Sequence, residues 1–431
     1  MQDKRVPWWA VLVAVVVAAV AGNQVQPTPA PAPTPVTTTT TSTIPKPVGT
    51  TTTIYVEPIP NAGTPRFNPN ASWNQPVSKL GKAPDKQQDY AKRLFNYGGG
   101  TAPPGGFNTA FGDYSIPEFP RSDATTKVRI YQTVWAQQLY TTPYLKNGSE
   151  IPWNPNWKPG TGNDNLMSIV DEKTGEVWSI GGIGQLKINC FDFFGINGQA
   201  GYDINNPNHL CTTGGAYYNN LYTASDKDGT TIDGRGAGFN KEILIPRADE
   251  VKAGAIKHAL PLTITNTMFG APACSPIKGP DVKGFGTECG GFVAPATKLE
   301  RTNPDIGCAK QVVSVAERSK TIPEGSRFAI NISDAGIEKW LDSRGYTGEL
   351  RKTARIFAVA LRDYGWIVAE TGCYGMHFET DSAIAGKAAP VWASLGVPAD
   401  GTTYPKGDLV QGLITLDNIY TVNTAEFAFA N

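Results

Sequence analysis

Residue types that can do chemistry lie close together in one short stretch of the chain. The segment LRDYGWIVAETGCYGMHF carries Glu370 at the end of an apolar run and His377 after a Gly-Cys-Tyr-Gly turn. Burial disfavours the ionised form of a carboxyl group, which suits a general acid. Loops at the ends of strands often carry functional residues. Glu370 and His377 are therefore candidate catalytic residues. The alternative is the packed end of a buried strand, with Glu370 in an ion pair.

The chain has three histidines, so a histidine mechanism must draw on few residues. His258 lies in the strand-like segment Ala255–Asn266. If that strand alternates, His258 shares a face with Leu260 and Leu262 and points into the core, where a backbone carbonyl would satisfy it. The functional interpretation places His258 in a cleft, where a histidine suits proton transfer near neutral pH. His258 is the third candidate catalytic residue.

A carbohydrate substrate would meet aromatic rings and charged groups. The loop IPWNPNWKPGTGNDN carries Trp153 and Trp157, whose rings can stack on sugars or simply pack against a sheet. Eliminative cleavage of a uronic-acid polymer needs a base and a cation that neutralises the uronate, and Lys298 and Arg327 are candidates for that binding role. Hydrolysis needs two carboxyl groups about 5–9 Å apart. Spacing along the chain does not pair the acidic candidates, which are Asp171, Glu172, Glu300, Glu324, Glu370 and Asp381.

Composition and motifs argue against other functions. Lys+Arg and Asp+Glu are equal at 38 each, so the chain has no overall basic field for nucleic acid. The sequence holds no Walker A, GxSxG or HExxH motif. Asp226 and Asp228 lie in a glycine-rich loop that would suit calcium, but the loop misses the full EF-hand pattern and favours a plain turn. We expect no metal and no cofactor.

The six cysteines predict disulfide bonds, because their number is even and the chain is expected to be exported. Local pairing favours Cys190–Cys211 and Cys274–Cys289, which would leave Cys308–Cys373, but the sequence does not choose among the possible pairings.

The N-terminal region predicts export. Residues 1–22 have a short basic start and an apolar run, which is typical of a cleaved signal peptide or of an uncleaved membrane anchor. Residues 23–57 are rich in proline and threonine and predict a disordered stalk. Residues 58–431 have globular composition and predict a single domain, with membrane contact only through an uncleaved N-terminal segment. We expect a monomer at the cell surface or outside the cell.

The globular part predicts a mainly β fold. Asn165–Gly182 is typical of a hairpin, and Thr347–Gly365 predicts a helix with Leu350, Ala354, Phe357 and Leu361 on one face. Many glycines and prolines indicate short strands joined by turns. We predict a β-sandwich or jelly roll with two or three short helices at its periphery.

Several segments together resemble a family of exported, largely uncharacterised bacterial proteins. These proteins have a WNQ segment, an aG-I-HAL strand and a YG-IVAD-G segment, and this chain has SWNQPVS, AGAIKHALPLT and YGWIVAETG in that order. The resemblance implies an extracellular, carbohydrate-associated protein with a β-sandwich, and it carries His258 over as a site candidate. Two departures weaken an acid–base role for the neighbouring strands, since relatives show histidine near Lys298 and Asp-Asn where this chain has Glu370-Thr371.

The sequence thus favours an exported enzyme that cleaves an extracellular or cell-wall polysaccharide by hydrolysis or elimination. The alternative is a non-catalytic surface protein that binds glycan, or a structural component of the cell envelope.

Overall fold

The computed structural model describes residues 67–100, 102–132, 145, 148–162, 164–183, 202–203, 205–212, 214–223, 237–238, 241–265, 267, 292–296, 322–372, 375–397 and 408–424. All of these residues belong to one compact unit, Glu57–Asn431, and the other unit, Met1–Val56, lies outside them. The predicted signal or anchor segment, 1–22, and the predicted stalk, 23–57, therefore lie outside the described residues. Within the described ranges, no helix has both the length and the apolar character that crossing a membrane requires.

The strands of the described part are short and form three sheets. They are β1 (Phe107–Ala110), β2 (Glu118–Pro120), β3 (Thr126–Gln132), β4 (Glu150–Trp153), β5 (Met167–Asp171), β6 (Glu176–Gly181), β7 (His209–Thr212), β8 (Gly214–Tyr218), β9 (Leu260–Ile264), β10 (Arg327–Ile330), β11 (Trp366–Thr371), β12 (Met376–Glu379) and β13 (Ile419–Thr421). The six-stranded sheet has the order β1-β12-β9-β11-β10-β13, the four-stranded sheet β2-β5-β6-β8 and the three-stranded sheet β4-β3-β7. Each sheet contains both parallel and antiparallel pairs.

Six α-helices accompany these strands in the same described residues, more than the two or three that were predicted. They are α1 (Val77–Leu80), α2 (Asp85–Tyr97), α3 (Ala248–Lys252), α4 (Asp334–Arg344), α5 (Gly348–Asp363) and α6 (Ala389–Ser394). Helix α5 confirms the helix predicted from the sequence, and its chain turns directly into β11 at Gly365, which has a left-handed φ of 68°.

The first hydrophobic core lies between the longer helices and one face of the six-stranded sheet. Helix α5 contributes Phe357 and Leu361, which are buried together with Leu262 of β9 and Phe378 of β12. Burying one such side chain contributes roughly 1.5–3 kcal/mol relative to leaving it exposed. The helix therefore covers the sheet instead of sitting at its periphery, because its apolar stripe has one large surface to pack against.

Two further cores stack the sheets on one another. The other face of the six-stranded sheet contributes Ile367 to a cluster that also holds Val170 of β5 and Val177 of β6. The opposite faces of β5 and β6 pack on the three-stranded sheet, where Ile169 and Val128 belong to one buried cluster. This alternation along β5 is that of a strand buried on both faces.

The prediction of a mainly β fold is confirmed. The predicted hairpin over Asn165–Gly182 is also confirmed, since β5 pairs antiparallel with β6 from Met167↔Ile180 to Asp171↔Glu176. The finer prediction of a sandwich or jelly roll stays a prediction.

Candidate functional site

One face of the six-stranded sheet carries polar side chains on three neighbouring strands. Thr263 of β9 has His377 of β12 as its register partner on one side and Glu370 of β11 on the other. Residues directly opposite in a ladder project from the same face, so these three side chains share one surface. The Thr263 hydroxyl also donates to Oε1 of Glu379 at 3.0 Å. Two interstrand spacings separate the Cα atoms of Glu370 and His377, which is about 10 Å.

A β-bulge places Glu370 in this group. The pairing of β11 with β9 matches Val368 to Leu262 and then Glu370 to Thr263, so Ala369 is an extra residue. Without the bulge, strict alternation would turn Glu370 toward the helix-covered core. A bulge re-aims the side chain that follows it and is frequent beside active sites.

Tyr114 lies against His377 from the loop between β1 and β2. The two ring centroids are 6.1 Å apart. The backbone of Tyr114 is left-handed, with φ of 64°, a conformation that costs a bulky residue roughly 1–3 kcal/mol. Thr161 holds it there, because the Tyr114 N–H donates to the carbonyl of Thr161 at 2.9 Å. Strain of this kind is concentrated at functional sites, and Tyr114 is only half-buried.

The remaining members of the cluster are deeply buried. Glu370, His377 and Glu379 are 6%, 4% and 2% exposed. A buried carboxyl group and a buried histidine are suited to proton transfer because solvent does not compete with the substrate. Tyr114, which is half-buried, is the most exposed member of the cluster.

His258 is placed away from this cluster. It precedes β9 by two residues, and about 10 Å of strand separates Leu260 from Thr263. Its side chain is buried, with Nδ1 2.8 Å from the carbonyl oxygen of Ala259 and Nε2 3.3 Å from Oε2 of Glu250. The structure therefore shows the buried, hydrogen-bonded histidine that the alternative interpretation expected, and it does not bring His258 together with Glu370.

The partner of His258 is a strongly acidic carboxyl group. Burial opposes ionisation of Glu250, but Arg247 and then His258 attract the carboxylate more strongly and lower its pKa to about 2. The guanidinium of Arg247 donates to Oε1 of Glu250 at 2.9 Å. This arrangement ties α3 to the start of β9.

A second buried carboxyl group, Asp381, lies just after β12. Burial raises its pKa well above the ordinary value, and repulsion from Glu118 adds to that effect. Hydrogen bonds from the backbone N–H of Ala248 and from Nε1 of Trp392, at 2.6 Å, oppose the rise. Asp381 thereby joins α3, α6 and the six-stranded sheet.

The proposed substrate-binding residues lie in other parts of the domain. Trp157 is buried and its ring stacks on Phe119, with centroids 5.0 Å apart, while Trp153 is half-buried and meets Trp157 edge-on. The two tryptophans therefore pack between sheets and do not form an exposed platform. Arg327 is 1% exposed, and its guanidinium donates to backbone carbonyls, including those of Ser72 and Tyr364. That position suits a structural role and not contact with an extracellular glycan.

Other predicted site residues lie outside the described residues. These are Lys298, the two calcium candidates Asp226 and Asp228, and the cysteines Cys190, Cys274, Cys289, Cys308 and Cys373. Cys211 is disulfide-bonded. In the described part of the chain, no group of three or more His, Cys, Asp or Glu side chains is arranged to hold a metal ion.

Sequence reasoning missed three members of the cluster. Glu379 follows His377 by two residues, and strand alternation would have placed it on the same face. Strand alternation also indicates Thr263, because it places this side chain on the face opposite the buried leucines of β9. Tyr114 had no such signal, because its position depends on a loop conformation.

Comparison with known proteins finds no matching family model, no matching curated protein and no matching solved structure.

Proposed function

We propose that this protein is an exported, carbohydrate-active protein that cleaves an extracellular or cell-wall polysaccharide, by hydrolysis or by elimination. The observation that supports this proposal is the shared face of Glu370, His377 and Glu379, with Tyr114 held over His377 in a strained conformation. No other group in the described residues combines two carboxyl groups, a histidine and a strained tyrosine.

The cluster offers groups for either reaction. In hydrolysis, Glu370 and Glu379 are the two carboxyl groups, one protonating the leaving oxygen while the other acts as base or nucleophile. In elimination, His377 or Tyr114 removes the proton next to the uronate carboxyl group, and the glycosidic oxygen leaves with a proton from the site. Elimination leaves a double bond in one product, whereas hydrolysis adds water and leaves none.

The test is depolymerisation of a glycan panel by the full chain. Neutral polysaccharides, uronic-acid polysaccharides and bacterial wall fractions are incubated with protein, and new reducing ends are measured together with the ultraviolet absorbance of an unsaturated sugar. We expect Glu370→Gln and Glu379→Gln each to reduce the rate by about 10²–10⁴, the range of a general acid–base contribution. Tyr114→Phe removes only the hydroxyl group and separates chemistry from ring packing.

His258 supplies a matched control for His377. Both are histidines at the six-stranded sheet, 2% and 4% exposed, but His258 lies away from the cluster. In elimination with His377 as the base, His377→Gln should abolish cleavage, whereas His258→Gln should lower stability and leave the rate per folded molecule unchanged. Equal loss of rate in both variants would reject this site.

A second candidate function is a non-catalytic surface protein that binds glycan or serves a structural role in the envelope. The observation that favours it is the deep burial of His258, Glu370 and His377, each at most 6% exposed. Retention of the protein on a glycan without new reducing ends would select this function.

The proposal extends to architecture and location. The shared apolar cluster between the six-stranded and four-stranded sheets is consistent with a β-sandwich. Export through the N-terminal segment and a monomeric state remain part of the proposal. N-terminal sequencing of the protein recovered from culture medium, with its mass in solution, tests both.

A further inference from the structure

The outer face of the three-stranded sheet holds an open cleft of about 400 Å³. That volume is within the range of small-ligand sites, roughly 300–1,000 Å³. Strands β3, β4 and β7 and the loop before β7 supply the lining, which is mainly polar. The lining residues are Thr126, Lys127, Val128, Arg129, Glu150, Asn206, Asn208 and His209.

The cleft carries more positive than negative charge, because Lys127 and Arg129 line it together with one carboxylate, Glu150. Lys127 and Arg129 both approach one carboxyl group, that of Glu150, with N–O distances of 3.9 Å and 3.4 Å. The three side chains remain 72%, 56% and 48% exposed. Two cations that share one carboxylate at long distance keep donors available for a second carboxylate, and a guanidinium binds carboxylates in a fixed geometry.

His209 is held in a defined orientation beside these cations. Its register partner is Arg129, and its ring packs against Tyr131 and Tyr202 with centroids 4.9 Å and 6.2 Å away. The backbone N–H of Asp203 donates to Nδ1 at 3.0 Å. The neutral ring therefore carries its proton on Nε2, where it can donate to a ligand oxygen.

The loop that leads into β7 is ordered by its own side chains. The N–H of Asn208 donates to the side-chain oxygen of Asn206 at 2.9 Å, and the N–H of Asn205 donates to Asp203 at 2.9 Å. Two amide side chains are thus presented at the cleft by a preorganised loop. Amides donate to and accept from hydroxyl groups, which a sugar ring supplies in number.

We infer that this cleft is a binding site for a uronic-acid unit of a polysaccharide. Arg129 and Lys127 bind its carboxylate, and His209, Asn206 and Asn208 bind its hydroxyl groups. The inference rests on the carbohydrate part of the proposed function, and it requires no catalysis, because the cleft belongs to a different sheet from the Glu370 cluster.

The test is affinity electrophoresis of the full chain through gels that contain polygalacturonate, dextran or no polysaccharide. We expect retardation by polygalacturonate, not by dextran, and loss of retardation as salt is added. Arg129→Gln should weaken binding about tenfold, the effect of losing one charge-assisted contact. Glu150→Gln should strengthen binding several-fold, because it releases both cations from their competing carboxylate.

A matched lysine separates specific binding from net charge. Lys352 of α5 is 70% exposed and pairs with Glu349, so it resembles Lys127 in charge and exposure. Lys127→Gln should weaken binding and Lys352→Gln should not. Equal weakening by both, absence of retardation, or equal retardation by dextran would overturn the inference. Retardation without new reducing ends would leave this site standing and reject the cleavage reaction.

Discussion

Substitution of Glu250 by glutamine should destabilise the protein in a way that depends on pH. The pKa of Glu250 falls from its ordinary 4.5 to about 2 in the folded state. Each pH unit of such lowering corresponds to ~1.4 kcal/mol, so the lowered pKa of Glu250 corresponds to about 3 kcal/mol of stability at neutral pH, with Arg247 as the main lowering influence. A lowered carboxyl pKa stabilises the fold above pH 4.5 and stops doing so as the pH falls toward 2.

The measurement is the free energy of unfolding of Glu250→Gln by urea denaturation, between about pH 7 and about pH 3. We expect a deficit of at most about 3 kcal/mol near neutrality, shrinking as the pH falls below 4.5. Glu349→Gln is the matched control, because Glu349 also forms an i,i+3 ion pair, with Lys352 at 2.7 Å, but is 50% exposed. An exposed pair of this kind contributes only about 0.3–0.5 kcal/mol.

Two results would refute this reasoning. The first is that Glu250→Gln loses no more stability than Glu349→Gln. The second is that the stability deficit of Glu250→Gln stays constant down to about pH 3. The second result would mean that Glu250 acts through packing or neutral hydrogen bonds and not through its charge.

Three other substitutions give separate tests by urea denaturation. Asp381→Asn should make the stability fall less as the pH rises above about 4, because a raised carboxyl pKa favours the fold only while the group is protonated. An unchanged pH profile would mean that the charge of Asp381 does not lower the stability. Gly365→Ala should cost more than about 3 kcal/mol, because the new Cβ would lie 2.0 Å from the carbonyl oxygen of Phe328, whereas Gly345→Ala, with a similar φ of 66° and open space, should cost about 1 kcal/mol. Arg327→Met should cost about 2–4 kcal/mol, because it leaves backbone carbonyls buried without their donor, and should not change retention on glycan. Loss of retention at full stability would return Arg327 to a binding role.

Local sequence patterns predicted the elements whose structure depends mainly on residues within one segment. The hairpin of β5 and β6 follows from two apolar arms around a turn that ends in Gly175. Helix α5 follows from the stripe of Ala354, Phe357 and Leu361 and from the stop at Gly365. These patterns concern neighbours in sequence, so tertiary contacts had little to add.

Local sequence patterns did not predict the environments of side chains that depend on packing between distant segments. The tryptophans of the IPWNPNWKPG loop could stack on sugar or pack on a sheet, and the same composition serves both. Trp157 is buried because Phe119, 38 positions earlier in the chain, brings β2 alongside it. The sequence made Arg327 a candidate for binding a uronate, since nothing in its own segment reveals that it donates to the carbonyls of Ser72 and Gln75.

The composition of the candidate site depends on two local irregularities that a regular pattern conceals. Ideal alternation from Ile367 would send Glu370 to the face covered by helix α5. The extra residue at Ala369 reverses that choice and aligns Glu370 with Thr263 and His377. In the same way, Tyr114 reaches His377 only because its backbone takes a conformation that most residues avoid. The left-handed backbone of Tyr114 costs free energy, and both irregularities bring a polar side chain to one surface, as bulges and backbone strain often do beside functional sites.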